Sequence, residues 1–147
     1  GAWIHRAALA AGDKGFSDLV LAPLQAGAKL SAMDYLDSIQ ARHRFMADLD
    51  RHLDAVDALV LPTTAIGTPR RGQQEAEVEG GTMSVREAVL GQTLPFSFAG
   101  VPTLSLPCGR LEGMPLGLQV VGRRDGDAAL LAVGRWLEER LRDRQPA

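Results

Sequence analysis

The chain has 147 residues, 46% hydrophobic and 23% charged, the make-up of one ordinary globular domain. A net charge of −2 gives no electrostatic pull toward nucleic acid or anionic lipid. No apolar run reaches the roughly 20 residues a membrane-spanning helix needs. The N-terminus lacks a basic leader, and the single cysteine, Cys108, excludes an internal disulfide, so a cytoplasmic setting is expected.

In chain order, residues 2–11 predict a short helix broken at Gly12. A second helix spans about 17–26 and stops at Gly27, a glycine suited to a C-cap. Pro23 lies within it, so it either starts late or divides into two pieces. Ser31 followed by Asp34 resembles a capping box that opens a long helix. Its apolar stripe is Leu36, Ile39, Met46, Leu49, Leu53 and Val56, with His43 filling the gap as a packed histidine.

Residues 58–61, "ALVL", form a continuous apolar run ended by Pro62, the pattern of a strand covered on both faces. Residues 63–82 then predict a long loop, and 84–90 a short helix capped by Ser84 with Glu87 at N3. The segment 94–122, "LPFSFAGVPTLSLPCGRLEGMPLGLQVVG", predicts a hairpin with strands near 103–107 and 116–121. Alternation puts Leu104, Leu106, Leu116, Leu118 and Val120 on one face. Thr103, Ser105, Gly117, Gln119 and Val121 share the other, which is either a polar face closed by a helix or part of a pocket. A last helix, capped by Asp125 or Asp127, runs to about Arg142 with Leu130, Val133, Leu137 and Leu141 as its stripe and Glu138–Arg142 as an i,i+4 pair. Helices outnumber confident strands, so the chain reads as a piece of a larger α/β layer structure. Gly1 in place of an initiator Met points the same way.

No catalytic set emerges from these residues. Cys108 ends a core strand and reads as a buried inert thiol. His43 and His52 are not at a metal-ligand spacing, and His5 and His52 read as surface residues. Glu138 and Glu139 are helix-surface charges, and "GRLEGMPLG" lacks both the spacing and the lysine of a phosphate loop. Fourteen of the 16 basic residues are Arg; a Ser–Lys mechanism would have to recruit Lys14 or Lys29, each in a polar connection far from any Gly/Ser-rich loop. "PRRGQQ" is a solvated loop, with no aromatic residues to make it a nucleic-acid patch.

"GAKLSAMDYLDSIQARHRFMADLDRHLDAVDALVLPTT", "FSFAGVPTLSLPCGRLEGMPLGLQVVG" and "DAALLAVGRWLE" together closely resemble the C-terminal part of the amidase signature family. That family includes general amidases, allophanate hydrolases and the A subunits of tRNA-dependent amidotransferases. The resemblance implies an α/β fold, here a C-terminal fragment of the amidase signature fold with a mixed β-sheet flanked by helices. Residues 1–147 would be one segment lacking the N-terminal catalytic portion. It implies amide cleavage by a Ser–cis-Ser–Lys triad, without metal or cofactor, and places all three triad residues in that other portion. No catalytic residue is therefore expected here.

Thr93, Pro95, Ser97, Gly100 and Pro102 match the family pattern T-x-P-x-N-x-x-G-x-P, with Ser97 where Asn is common. Thr93, Ser97 and Gln119 are accordingly the candidate substrate-pocket residues. Amidotransferase A subunits carry an Asp shortly before that Thr and an Arg before the Gly matched by Gly27. Leu90 and the Arg-free surroundings of Pro23 depart from this and favour a general amidase. The implied partners are a small-molecule amide substrate and the N-terminal portion, with a homodimer as a candidate assembly and neither nucleic acid nor membrane. The alternatives are a non-catalytic α/β interaction module and an amidotransferase A-type subunit.

Overall fold

The computed structural model describes residues 1–12 and 15–142. Lys14 lies outside them. The chain divides within its long helix into two compact units, 1–43 and 44–147.

The first unit holds α1 (Arg6–Ala10), α2 (Asp18–Gly27) and the start of α3 (Ala32–Asp54). α2 is continuous through Pro23, and Leu19, whose carbonyl loses its helical donor there, is 88% exposed and open to water. Gly27 is its last helical residue and Ala28, still right-handed, is the C-cap, so the expected glycine cap is not used. Ser31 opens α3: its Oγ and backbone N–H donate to Asp34 Oδ2 at 2.7 and 2.9 Å, while Asp34 N–H donates back to Ser31 Oγ at 3.1 Å. The predicted stripe is only partly used. Leu36 is exposed, Leu49 and Leu53 are buried, and His43 is exposed rather than packed. Within this unit Leu24 is the buried apolar side chain among the described residues, and Trp3, Ile4, Leu30, Met33 and Tyr35 are all exposed.

The second unit contains β1 (Leu59–Pro62), β2 (Glu75–Val78), β3 (Gly81–Ser84), α4 (Val85–Leu90), α5 (Leu94–Ala99), β4 (Thr103–Leu111), β5 (Met114–Val121) and α6 (Asp127–Arg142). Its main sheet has the order β1-β5-β4, antiparallel throughout. The α/β architecture is as expected, and this chain shows antiparallel pairings of its sheet. The strand expected to be covered on both faces is not: β1 alternates, and Val60 is 56% exposed. The hairpin begins at Thr103 as expected and its first strand runs on to Leu111, while the preceding Leu94–Ala99 coils into α5 and stops at Gly100 in the left-handed region. Its strands meet at Glu112 and Gly113, both with positive φ, the signature of a tight two-residue hairpin turn. The long loop is interrupted by the β2–β3 hairpin, whose turn uses Gly80 at φ +94.

Two hydrogen bonds explain where prolines are tolerated. Thr63 N–H donates to Gly117 O at 2.9 Å and Gly122 N–H to Pro102 O at 3.0 Å, so odd residues of β5 bond toward β1 and even ones toward β4. Pro62 faces Leu118 and Pro107 faces Gly117, so each would direct its N–H out of a sheet edge, where none is needed.

One face of the sheet packs on α3 and α5: Leu49, Leu53, Ala99, Val101 and Val121 form the core, with Phe45, Met46, Leu59, Leu61 and Phe96 against it. The other face meets α6. Gly134 is buried there because a side chain would overlap Leu104 Cδ1. The predicted Glu138–Arg142 pair forms at 3.5 Å. Arg123 closes the end of α3, donating from Nε to Leu53 O at 2.9 Å in its last turn and from Nη2 to Val56 O at 3.2 Å in the segment just beyond it.

The α4 box repeats that of α3. Ser84 Oγ donates to Glu87 Oε2 at 2.7 Å and accepts Glu87 N–H at 3.1 Å. In both boxes the serine hydroxyl first, and its backbone N–H second, hold the carboxyl of Asp34 or Glu87 below its ordinary value. A carboxyl whose folded pKa is depressed contributes stability that is present above its unfolded pKa and lost as pH falls through the folded one. Urea midpoints are therefore expected to fall below about pH 4, the ordinary carboxylate range, and less so in the Ser31→Ala, Ser84→Ala double variant. A double variant with the same acid dependence would contradict this.

A hydroxyl-lined groove beside the candidate pocket residues

Period-two alternation continues past the end of β1, so Thr63 follows Leu59 and Leu61 on the face shared by Gly117, Gln119 and Ser105. Thr63 Oγ1 and Ser105 Oγ lie 2.7 Å apart and hydrogen-bond across Gly117. A Cβ at 117 would stand 2.6 Å from Thr63 Oγ1 and 2.9 Å from Ser105 Oγ, so a hydrogen at that position is what lets the two hydroxyls meet. Beside them opens a groove of about 580 Å³, within the size range of small-molecule sites. Pro62, Ile66, Val89, Pro107, Cys108 and Leu116 supply apolar walls, Thr64 and Thr68 also line it, and no charged side chain among the described residues does. Cys108 is half-buried rather than buried, with Sγ 3.6 Å from Leu116 O.

None of the three candidate pocket residues, Thr93, Ser97 and Gln119, is among the residues lining this groove, and they play different parts. Gln119 is 3% exposed, and its Nε2 donates to Gln92 O at 2.8 Å, which ties β5 to the turn before α5. Thr93, half-buried, begins that helix and donates from Oγ1 to Leu90 O at 3.3 Å. Ser97 sits one turn on, its N–H bonded to Thr93 O at 3.2 Å, with its side chain exposed. Gln119 is thus brought to the Gln92–Thr93 segment, and Ser97 shares a helix with Thr93. Thr63 was not among the candidates. The signal for it was present in "LVLPTT", where alternation carries a polar residue onto the sheet face just after the apolar run ends.

The carboxylates held below their ordinary values, Asp34 and Glu87, serve as helix caps. His5 stacks edge-on to Phe16 at 5.3 Å, and His52 Nδ1 lies 2.7 Å from Asp48 O; both are surface residues, as expected. Among the described residues no group of three or more His, Cys, Asp or Glu could hold a metal ion, and no helix is long and apolar enough to cross a membrane.

The second unit thus carries a hydroxyl-bearing groove on an antiparallel sheet. The model of the Amidase family matches residues 4–131, and the chain belongs to that family. A solved amidase structure is 46% identical and superposes with a TM-score of 0.90 over 95% of this chain and 32% of its own. A structure of a vestigial protein complex, related to the origins of an s-triazine catabolic enzyme, is 27% identical with a TM-score of 0.86 over 95% of this chain and 31% of its own. Among curated proteins, the A subunit of the glutamyl-tRNA(Gln) amidotransferase of Methanococcoides burtonii is 34% identical over 98 residues, 66% of this chain and 19% of that protein. The chain therefore spans about a fifth of the length of such a relative and about a third of the amidase.

Proposed function

We propose that this chain is the C-terminal part of a single amide-hydrolysing domain, supplying core and pocket wall while the N-terminal portion supplies the Ser–cis-Ser–Lys triad. The fit of 95% of the chain onto about a third of a solved amidase carries this proposal. The exposure of Val60 and Trp136, which with Val56 and Val133 line an apolar groove beside the β1 edge, supports it, because another part of a larger domain would cover such a surface. Thr93, Ser97 and Gln119 then belong to the pocket wall. Catalysis needs no cofactor, the substrate is a small-molecule amide, the setting is cytoplasmic, and any homodimer forms from complete domains.

The test uses the complete domain, this segment together with the triad-bearing portion, and follows ammonia release from benzamide. Turnover is expected. Ser97→Ala and Thr93→Val are each expected to lower kcat/KM about three- to tenfold, the scale of one lost hydrogen bond. No ammonia from benzamide or propionamide would refute the amidase proposal. Unchanged kinetics in both variants would remove these residues from the wall.

The match to amidotransferase A subunits favours a second reading, an enzyme working within a multi-subunit assembly. Leu90 and the absence of Arg near Pro23 weigh against it. Stable co-purification of the complete domain with the other chains of an amidotransferase would favour it.

A further inference from the structure

We infer that the Thr63–Ser105 hydroxyl pair is the floor of a binding subsite for a neutral group that both accepts and donates a hydrogen bond, a carboxamide with an apolar substituent. This rests on the amide-hydrolase proposal for the choice of ligand, and on the groove's own chemistry for everything else. With the two oxygens 2.7 Å apart, one O–H is spent on the mutual bond. The other O–H remains free to donate, and lone pairs remain free to accept. A carboxamide presents the complementary set, a carbonyl oxygen and N–H donors. Thr63 is half-buried, which fixes one side of the pair, while Ser105 is exposed and reachable.

The walls decide what else is admitted. Pro62, Ile66, Val89, Pro107 and Leu116 offer apolar contact, and no lining residue carries a charge. An ion entering this groove would lose water with no counter-charge to replace it, so a carboxylate or an amidinium of the same shape is disfavoured. Gly117 keeps the floor open, since any side chain there would occupy the space above both hydroxyls. Thr64, also in the lining, already donates its hydroxyl to Ile66 O at 2.7 Å, and Thr68 lies off the strands in the loop, so the Thr63–Ser105 pair is the hydroxyl feature that the sheet itself presents to the groove.

The test is the affinity of benzamide, benzoate and benzamidine for the 147-residue chain, measured by titration with amide-proton shifts as the readout. Benzamide is expected to shift Thr63, Ser105 and Gly117, and the two charged analogues to bind at least about tenfold more weakly. Thr63→Val is expected to weaken benzamide about three- to tenfold, and Thr63→Ser, which keeps the hydroxyl, to restore it within about twofold. Equal affinity for all three ligands, or Thr63→Val binding as tightly as the parent, would overturn the subsite. So would Thr63→Ser losing as much as Thr63→Val. Binding needs no turnover, which separates the two proposals. A complete domain hydrolysing benzamide equally well with and without Thr63→Val sinks the subsite alone. Benzamide bound at the pair, with no hydrolysis by the complete domain, sinks the amidase proposal alone.

Discussion

Leu53→Ala is expected to destabilise the 44–147 unit by about 3–4 kcal/mol, the range for emptying a fully buried leucine site. Leu53 is 1% exposed and packs in the core with Leu49, Ala99, Val101 and Val121, so the hole would open between α3 and the sheet. The same residue's carbonyl is held by Arg123 Nε at 2.9 Å, which pins the helix end in place. Urea denaturation checks this, with Leu36→Ala as the comparison. Leu36 lies on the same predicted stripe but is 54% exposed, so its truncation should change stability by about 0.5 kcal/mol or less. Comparable losses at both positions would mean that the stripe is buried along its whole length.

Gln119→Ala is expected to cost about 2–3 kcal/mol, because it leaves the Gln92 carbonyl without its donor and empties a site only 3% exposed. Gln119→Leu restores most of the volume but not the donor, and should recover only part of the loss. If Leu proved as stable as Gln, the bond to Gln92 would contribute nothing, and Gln119 would be a space-filler. In the complete domain the same bond positions the Thr93 helix start, so Gln119→Ala should also reduce kcat/KM for benzamide. Thermal melts and ammonia release together separate the two effects.

Much of this architecture was legible in the sequence where local chemistry decides it. Both Ser-x-x-acid boxes formed and the Glu138–Arg142 pair appeared where spacing put it, while of the predicted α6 stripe Leu130 is buried and Val133, Leu137 and Leu141 are half-buried. The hairpin faces also followed from alternation, because period two leaves no freedom once a register is set. What escaped was set by tertiary context. The β2–β3 hairpin is four residues a side; β2 alternates Glu with small apolar residues and β3 is Gly-Thr-Met-Ser, a weak signal beside its paired glycines. "LPFSFA" has strand-like composition yet forms a helix, with Pro95 at its first turn and Gly100 closing it. His43 sits at an apolar spacing, but the stripe is buried only further along, so spacing alone could not place it. Arg123 reaches Leu53 O across 70 residues of sequence, and Arg124 donates from Nη1 to Ala99 O at 2.8 Å across 25, separations no local pattern reports.

The candidate pocket was legible only in part. Thr93, Ser97 and Gln119 came from a motif and from alternation, and the hydrogen bond from Gln119 to Gln92 joins two of these segments. The Thr63–Ser105 pair spans 42 residues and depends on the absence of a side chain at Gly117. That requires knowing which glycine stands beneath which hydroxyl.

Ammonia release from benzamide by the 147-residue chain alone, set beside the same chain joined to the triad-bearing portion, tests the central claim most directly. No turnover is expected from the chain alone, and turnover is expected from the joined domain. Turnover by the chain alone that survives Cys108→Ala would contradict the claim, because it would require a nucleophile within these residues where none is assigned.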